Sequence, residues 1–378
     1  MPSRKEREAN EMNETIVTVR MDGRTVGRLT QARSRRLMFQ YDSDWLSTGF
    51  SISPVQLPLL PVLFEADGKP FDGNFGVFDD SLADGWSALV FDRYLRRQGT
   101  SLQALTLPQQ LMLVGTNGRG ALEYLPDCSS LEEADAGSLQ ALADEARRVL
   151  DAEGELTLEK AWRRGGSSGG TRPKVYMAHE GEEWLVKFAD RTDPPEVGRL
   201  EYETSLVARQ CGIEMEPTRL FEGRFFGTRR FDRTADGGKV HVVSLSGLMG
   251  IDYRMPNADY GHLFWACNEL THSQKELWKV FRLMAFNLLI GNCDDHPKNF
   301  AFVHREGLWH LAPAYDLLPC EGRNGMHALS VNRNYRNPCR SDALSLATAF
   351  GLAGDEAAAV WDDMQAIVAQ SGLLGWQK

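Results

Sequence analysis

The segment from Ile290 to Phe300 contains the densest set of reactive side chains in the sequence. It reads Ile-Gly-Asn-Cys-Asp-Asp-His-Pro-Lys-Asn-Phe and follows an apolar stretch that is typical of a helix. Asp294 and Asn299 stand five residues apart, the spacing at which the Asp of a kinase catalytic loop accepts a hydroxyl proton and the Asn binds magnesium. These polar residues could instead only cap the neighbouring elements. Their density between two apolar segments favours the catalytic interpretation.

A metal ion could be bound near this segment in two ways. Asp316 lies in the apolar stretch Leu311–Leu318, and its carboxylate can share a magnesium ion with Asn299, because this cation prefers oxygen ligands and bridges phosphate oxygens. A lone Asp in a loop is more often solvated or a cap. A zinc site from Asp294, Asp295 and His296 is the other alternative, but three adjacent side chains rarely converge on one metal.

Lys187 is the single basic residue of the apolar stretch Trp184–Phe188, which has the character of a strand. A helical pattern with Glu201 and Glu203 follows it. A strand Lys and a helix Glu form the ion pair that holds nucleotide phosphates in kinase-like folds. A Lys on an edge strand in water is an equally good interpretation of this residue taken alone.

A glycine-rich stretch, residues 165–174, precedes the first strand pattern of this region. It reads Gly-Gly-Ser-Ser-Gly-Gly-Thr-Arg-Pro-Lys, and glycines let backbone N–H groups approach an anion closely. A flexible linker has the same composition, and the stretch matches neither Gly-x-Gly-x-x-Gly nor the Walker pattern. The order along the chain is nevertheless that of a protein kinase: Gly-rich loop, strand Lys, helix Glu, Asp-x-x-x-x-Asn and metal Asp.

The elements that must position these residues follow from periodicity and turn signals. The chain opens with a hairpin around Asp22-Gly23. Ser138 predicts the N-cap of a helix, and Gly212 the end of another. Helices are predicted near 87–98, 108–114, 197–210, 277–289, 341–351 and 355–371, and strands near 175–178, 184–188, 219–222 and 225–231. We predict an N-terminal subdomain (1–135), a strand-rich lobe (136–255) and a helical lobe (256–378), and therefore an α/β fold of the α+β type.

Composition and charge exclude several classes of protein. The 378 residues include 42 Lys plus Arg and 52 Asp plus Glu, for a net charge of -10, which disfavours a chain whose main task is to bind a phosphate backbone. No apolar run approaches the ~20 residues of a membrane span. The polar start, residues 1–13, lacks the apolar run of a signal peptide, so we expect a cytoplasmic protein. The six scattered cysteines predict reduced, mostly buried thiols.

Taken together, these motifs resemble those of the HipA-like serine/threonine kinases, the toxins of bacterial type II toxin-antitoxin pairs. The resemblance covers nearly the whole chain and predicts a two-lobed, protein-kinase-like fold with an N-terminal subdomain of HipA type. The matching segments are Asn292–Phe300, Ala314–Leu318, Arg230–Arg233, Ser167–Lys174, Phe75–Trp86 and Gly120–Leu122.

The resemblance implies roles for individual residues. Asp294 would be the catalytic base, and Lys187 would hold the phosphates and pair with Glu201, whose context fits the family better than that of Glu203. Asn299 and Asp316 would bind magnesium. The remaining nucleotide contacts would come from the phosphate loop (Gly169, Gly170, Thr171, Arg172, Pro173 and Lys174), from the hinge (Arg229, Arg230 and Phe231, with Asp232 close by) and from His296, Pro297 and Lys298.

Members of this family phosphorylate a serine in their own glycine-rich loop, which displaces the loop and silences the enzyme. The resemblance places that serine at Ser167, with Ser168 as the alternative. A doubly charged phosphoserine beside the nucleotide phosphates would be repelled. The Asp-Phe-Gly and Ala-Pro-Glu motifs of ordinary protein kinases are missing from the sequence, so control by activation-loop phosphorylation is not expected.

The resemblance also implies ATP and Mg²⁺ as cofactors, and two kinds of partner. One is a small helix-turn-helix antitoxin, through which contact with DNA would be indirect. The other is a protein substrate, for which the family's aminoacyl-tRNA synthetases are the model. Two alternatives stay open: a small-molecule or lipid kinase, since Asp-x-His-x-x-Asn is also typical of phosphoinositide-kinase catalytic loops, and a non-catalytic corepressor.

Overall fold

The N-terminal part of the chain forms an antiparallel sheet flanked by short helices. The computed structural model describes residues 15–129, 138–150 and 169–373. Strands β1 (Val17–Met21), β2 (Arg24–Gln31), β3 (Leu37–Tyr41), β4 (Leu63–Glu65) and β5 (Glu123–Leu125) pair in the order β4-β3-β2-β1-β5. Asp22 and Gly23 both have positive φ, 49° and 74°, as a type I′ turn requires. The predicted hairpin is therefore confirmed.

Four helices lie between β3 and β5: α1 (Ser43–Thr48), α2 (Gly76–Asp79), α3 (Trp86–Arg97) and α4 (Leu107–Val114). Thr106 and Gln109 cap α4 reciprocally, which satisfies two backbone donors that a helix start otherwise leaves free. The predictions for α3 and α4 were right to within one residue at each end. Helix α5 (Leu139–Leu150) follows, and the Ser138 hydroxyl accepts from the Ala141 N–H at 3.2 Å, as its predicted N-cap role requires.

A four-stranded antiparallel sheet comes next, in the order β6-β7-β9-β8. Its members are β6 (Lys174–His179), β7 (Glu182–Lys187), β8 (Thr218–Phe221) and β9 (Phe225–Arg229), and α6 (Val197–Gln210) connects β7 to β8. Lys174 and Lys187 are directly opposite each other in the β6–β7 pair. This register places the last residue of the glycine-rich loop beside the strand lysine.

The C-terminal part combines long helices with two small sheets. It contains β10 (His241–Ser244), α7 (Leu245–Met249), β11 (Ala258–Asp259), α8 (Tyr260–Thr271), α9 (Gln274–Ile290), β12 (Ala301–Arg305), β13 (Leu308–Leu311), β14 (Leu329–Ser330), α10 (Arg340–Ala349) and α11 (Gly354–Ser371). Strands β10, β12 and β13 form one sheet, and β11 pairs in parallel with β14. Sequence analysis predicted α9, α10 and α11 but not α7, α8 or the short strands β10, β11, β13 and β14. Strands β10, β11 and β14 pair with segments distant in sequence, and β13 forms a hairpin with β12.

Two apolar clusters join these parts. The larger one contains side chains of the N-terminal sheet, such as Phe39, together with side chains of the long helices, such as Phe286. In the smaller cluster, Trp86 and Phe91 of α3 pack with Val186 of β7. The N-terminal sheet and its helices are therefore packed against both of the other parts. The predicted boundary at 135 lies outside the described residues, and the boundary at 255 stays a prediction.

Candidate active site

Lys187 is held between two carboxylates from distant parts of the chain. Its amine donates to Oε1 of Glu201 in α6 at 2.5 Å and to Oδ1 of Asp316, in the loop after β13. Lys187 and Glu201 are buried, with 8% and 3% of their surfaces exposed. Burial by itself would lower the pKa of Lys187, but the charges of Asp316 and Glu201 raise it above its ordinary value. The amine is therefore a fixed positive charge.

The helical period decides which glutamate reaches the lysine. Glu201 shares the buried face of α6 with Leu200, Thr204 and Ala208, because residues three and four apart lie on one side of a helix. Glu203 is half-buried on another face. The structure thus brings Glu201 to Lys187, the member of the pair that the resemblance favoured.

Asp316 is an ionised and partly exposed carboxylate. Burial would raise the pKa of its carboxyl, but the charges of Lys187 and Lys174 hold the pKa well below its usual range, so the group is ionised at neutral pH. Its side chain is 30% exposed, more than either of its partners. Its backbone is left-handed, with φ 59°, a conformation that non-glycine residues adopt at a cost of about 1–3 kcal/mol and that concentrates at functional sites.

The described part of the glycine-rich loop, Gly169 to Lys174, is fixed at three points. The Trp86 N–H donates to the Gly170 carbonyl at 2.9 Å, and Arg172 makes two bonds of 2.8 Å to Asp193. The buried Lys174 amine donates to the Gly169 carbonyl. A Cβ on Gly170, which has φ +92°, would lie 2.6 Å from that amine, so this position requires glycine. Ser167 and Ser168 lie outside the described residues.

Lys174 adds a second buried amine to the site. Burial first, and then the charge of Lys187, lower its pKa to about 8. Pro173, between Arg172 and Lys174, accepts the Phe188 N–H at 2.8 Å, so the loop continues the hydrogen bonding of the β6–β7 pair. Thr171 makes none of the hydrogen bonds found within the described part of the chain. Anions bound at this loop would meet two amines and an arginine.

The catalytic-loop motif folds back on itself after α9. Helix α9 ends at Gly291, which adopts φ 68°, and Pro297–Asn299 form a short 3-10 turn. The Asn299 side-chain amide donates to the Asp294 carbonyl at 2.8 Å. This bond occupies the amide nitrogen and leaves the amide oxygen of Asn299 as its available ligand atom. The two residues that sequence analysis paired by spacing are therefore brought together.

Asp294 and Asp295 are adjacent but have opposite surroundings. Asp294 is exposed and Asp295 is fully buried. The surrounding loop removes water from the Asp294 carboxyl, and this raises its pKa. The charge of His296 partly offsets the rise. Asp294 is thus the carboxylate of the motif that an acceptor hydroxyl can reach. Three ligands from Asp294, Asp295 and His296 do not converge, and the described residues contain no cluster of three metal-binding side chains from His, Cys, Asp and Glu.

The side chain of Lys298 is bound to the N-terminal part of the chain. Its amine lies 3.2 Å from both Asp79 and Asp84 and 4.5 Å from the ring centre of Tyr253. The Tyr253 hydroxyl also donates to Asp84, and the His296 ring lies 5.6 Å from the Tyr253 ring. The backbone of Lys298 is fixed as well, since its carbonyl accepts from the Tyr315 hydroxyl at 2.7 Å. As nucleotide contacts, His296, Pro297 and Lys298 stay predictions.

Within the described residues, the backbone of the predicted hinge can offer an acceptor and a donor to a ligand. The Arg229 N–H donates to the Pro217 carbonyl at 2.9 Å. Proline has no N–H to return, so the Arg229 carbonyl receives no bond back from residue 217 and has a 3.4 Å contact with the Thr228 hydroxyl. The Arg230 N–H donates to Glu183. The Phe231 N–H has no hydrogen-bond partner within the described ranges. Adenine has an amine, which donates a hydrogen bond, beside a ring nitrogen, which accepts one. A site for adenine therefore needs an acceptor and a donor of this kind.

The side chains of the hinge have structural partners. Arg229 forms ion pairs with Glu216 and Glu182. The buried Arg230 makes two bonds to Asp232, 2.8 and 2.9 Å long. The Phe231 ring stacks on Tyr315, 5.5 Å between ring centres, and the Phe231 carbonyl accepts from Arg305. Stacking on Tyr315 connects the hinge to the residue that precedes Asp316.

Sequence analysis missed the contacts that the N-terminal part makes with this site. Besides Asp79 and Asp84, they include the Gly120 N–H, which donates to Asp232 at 2.8 Å, and Arg119, which donates to the Tyr315 hydroxyl at 2.9 Å. Three acids within the otherwise apolar run Phe75–Trp86 were a usable signal, since buried acids need cationic partners. The sequence around these acids did not show which residues their partners would be.

Two family models match this chain. The family model described as the HipA-like C-terminal domain matches residues 166–371, and that of the HipA N-terminal domain matches residues 17–125. Two proteins of Sinorhizobium fredii, both provisionally named kinases, are similar over most of their length. Y4mE is 29% identical over 81% of this chain and 78% of its own, and Y4dM is 22% identical over 80% and 77%.

A solved structure shares the fold. HipA of Shewanella oneidensis MR-1, determined in complex with HipB and operator DNA, superposes with a TM-score of 0.70 over 94% of this chain and 89% of that chain, at 17% identity. The predicted mixed α/β, protein-kinase-like fold is therefore confirmed. Within the described residues, no helix combines the length and the apolar character needed to span a membrane.

Proposed function

The chain belongs to the HipA-like family of toxin kinases, and from this premise we propose that it transfers the γ-phosphoryl group of Mg-ATP to a serine or threonine hydroxyl of a protein. The main support is the convergence of Lys187, Glu201 and Asp316. Asp294 is near enough for the charge of Asp316 to raise its pKa, and Asn299 is bonded to Asp294. These are the parts that position phosphates, metal and acceptor in phosphoryl transfer. Similarity to a solved structure alone would support the fold but not the reaction.

The residues present fit a magnesium ion. Asp316 is an ionised, partly open carboxylate, and Asn299 has its amide nitrogen occupied and its oxygen available. These oxygen ligands suit Mg²⁺, which usually takes one or two protein ligands plus phosphate oxygens and water. When bound, the ion neutralises charge on the phosphates and orients them.

Each residue then has a definite task. Lys187 and Lys174 donate to phosphate oxygens, and the carbonyl of Arg229 and the N–H of Phe231 hold the adenine edge. Asp294 accepts the proton of the acceptor hydroxyl as that oxygen bonds to the γ-phosphorus. The bond from this phosphorus to the β–γ bridging oxygen breaks, and ADP leaves with the electron pair. Positioning and charge stabilisation supply most of the rate, as in other kinases.

The same reaction on the glycine-rich loop would silence the enzyme. Ser167 or Ser168 is the proposed acceptor, two to three residues before Gly170, whose carbonyl the Trp86 N–H holds. A phosphoserine would introduce about two negative charges beside the phosphate site. The loop would then be repelled from bound nucleotide, and the Gly170 bond would be lost.

The partners are proposed from the family. The Shewanella structure holds HipA together with HipB and operator DNA, and we propose that this chain likewise acts as a toxin that binds a DNA-binding antitoxin. The net charge of -10 agrees with leaving DNA contact to that partner. An aminoacyl-tRNA synthetase is the proposed class of protein substrate, and the cytoplasm is the proposed location.

Mass spectrometry of the protein after incubation with Mg-ATP tests the proposal. The wild type is expected to gain one phosphate on the peptide that contains Ser167 and Ser168, and Asp294→Ala is expected to gain none. Asp363→Ala, which removes an exposed carboxylate of α11, is the matched control and should behave as wild type. Full transfer by Asp294→Ala would contradict the assignment of the base.

A second assay separates the acceptor classes. Purified aminoacyl-tRNA synthetases and a panel of lipid head groups are offered as acceptors to the wild type and to Asp294→Ala. Phosphate on a synthetase supports the proposal, whereas phosphate on a lipid head group supports the lipid-kinase alternative. ATP binding without transfer to any acceptor would support the corepressor alternative.

A further inference from the structure

The buried Asp295 carboxylate binds three different segments of the chain. Its Oδ2 accepts from the Tyr260 hydroxyl at 2.8 Å and from Nδ1 of His327 at 3.0 Å. Its Oδ1 accepts from the backbone N–H groups of Ala328 at 2.8 Å and Leu329 at 3.3 Å. A carboxylate has about four acceptor positions, so Asp295 is saturated. We call Asp295, Tyr260, His327 and the two N–H groups the Asp295 anchor.

The anchor connects the catalytic loop to the chain that follows Asp316. Ala328 is 33 residues from Asp295 in sequence, and its N–H also lies 3.1 Å from the Cys293 carbonyl. On the other side, Asn287 of α9 donates to the Tyr260 hydroxyl at 3.0 Å. The segment after the metal-binding Asp is therefore attached to the loop that contains the base.

Charge makes this attachment strong. A buried carboxylate without a cationic partner costs several kcal/mol, and His327, itself 7% exposed, is the cation in contact with Asp295. Burial by itself would lower the pKa of His327, but hydrogen bonds to Asp295 and Cys293 raise it to about 9. His327 is consequently an imidazolium at neutral pH, and its Nδ1 lies 3.0 Å from Oδ2 of Asp295.

We propose that Asp295 and His327 are positioning residues for phosphoryl transfer, which hold residues 327–329, and through them the loop of Asp316, in register with Asp294. This inference rests on the proposed function. In kinases that are switched by phosphorylation, a phosphate paired with arginine orders the corresponding segment. Here a buried carboxylate has that task, so the segment is ordered without any modification.

The proposal predicts loss of the transfer step with little change in nucleotide binding. Neither residue bonds to Lys187, Lys174 or the hinge, so the ATP concentration at half-maximal rate should stay within about threefold of wild type. A displacement of about 1 Å between reacting groups costs roughly 100-fold. The rate of loop phosphorylation at saturating ATP should therefore fall roughly 10- to 100-fold in Asp295→Asn and in His327→Gln.

The double variant tests whether the two side chains act as one unit. Because the two side chains act as one unit, Asp295→Asn with His327→Gln should be no slower than the worse single variant. Asp92→Asn is the matched control, since Asp92 also accepts a backbone N–H, that of Leu102 at 2.9 Å, but lies in α3 and bonds to Arg96 and Leu102 instead of to this loop. Its rate should equal that of wild type.

Amide hydrogen exchange keeps the test valid if a variant is unstable. The Ala328 and Leu329 amides should exchange slowly in the wild type and fast in Asp295→Asn, while amides of β12 stay protected. Folded variants that transfer phosphate at the wild-type rate, or slow exchange at 328 and 329 in Asp295→Asn, would overturn the inference alone. A wild type that binds ATP but transfers no phosphate would overturn the proposed function and this inference with it.

Discussion

The cluster of Lys187, Glu201 and Asp316 and the Asp295 anchor are both built on buried carboxylates, yet they differ in how completely those carboxylates are satisfied. Asp295 is fully buried and all its acceptor positions are filled. Asp316 shares one amine with Glu201 and keeps 30% of its side chain exposed. A saturated group resists rearrangement, whereas an open one can exchange partners. Under the proposed function, this difference separates residues that position the site from residues that contact ligands.

Replacement of the open carboxylate should have the largest effect. Asp316→Ala is expected to reduce phosphate transfer by about 10³-fold or more, because under the proposed function the site loses the ionised carboxylate that binds magnesium. Initial rates over a series of Mg²⁺ concentrations measure this loss, and excess Mg²⁺ should not restore the rate. Recovery of the wild-type rate at high Mg²⁺ would show that Asp316 is not an essential ligand.

Replacement of Lys187, whose amine Glu201 and Asp316 share, should have the next largest effect. Lys187→Met leaves two carboxylates without their buried partner, so the free energy of unfolding should fall by about 3–5 kcal/mol. Urea unfolding measures it. Lys187→Met combined with Glu201→Gln should regain part of the loss, since the uncompensated charge is then gone. A double variant no more stable than Lys187→Met would show that the pair does not depend on charge.

The Asp295 anchor should stabilise the protein less as the pH rises above neutral. The pKa of His327 is raised from 6.5 to about 9, so its stabilising contribution is complete below pH 6.5 and is lost as pH rises through 9. The difference in unfolding free energy between wild type and His327→Gln should therefore shrink between pH 7 and pH 10, by up to about 3 kcal/mol. A difference that is constant with pH would indicate a neutral His327.

The smallest effect is expected at an exposed ion pair. Arg340 makes two bonds of 2.9 Å to Asp362, but the side chains are 42% and 61% exposed. Asp362→Asn should cost less than about 1 kcal/mol, because water solvates both partners in the unfolded and folded states alike. A thermal melt compared with Asp363→Asn measures it, and a loss as large as that of Lys187→Met would contradict burial as the cause of the difference.

Much of the fold followed from local pattern. The hairpin at Asp22-Gly23, the strand that ends at Lys187 and the helix from Val197 to Gln210 were predicted because turn chemistry, alternation and periodicity act over a few residues. The short pairs β10–β12 and β11–β14 were not predicted. Their residues are too few to show a period, and their partners lie as far apart as Ala258 and Leu329.

The candidate site divides in the same way. Residue types and spacing singled out Asp294, Asn299 and Asp316 as candidates, because phosphoryl transfer needs a base and oxygen ligands in a recurring order along the chain. They did not distinguish the environment of Asp295 from that of its neighbour, nor did they show that Lys298 would bind Asp79, which is 219 residues away in sequence. Those properties depend on which side chain faces the interior.

The sequence by itself therefore determined which groups are available and which local elements present them. The tertiary structure alone decided which carboxylate is open, which is saturated and which amine each one shares. The physical reason is that the pKa, burial and hydrogen bonding of a side chain depend on its neighbours in space. Those neighbours come from the N-terminal sheet, the β6–β9 sheet and the long helices at once, and only their packing brings them together.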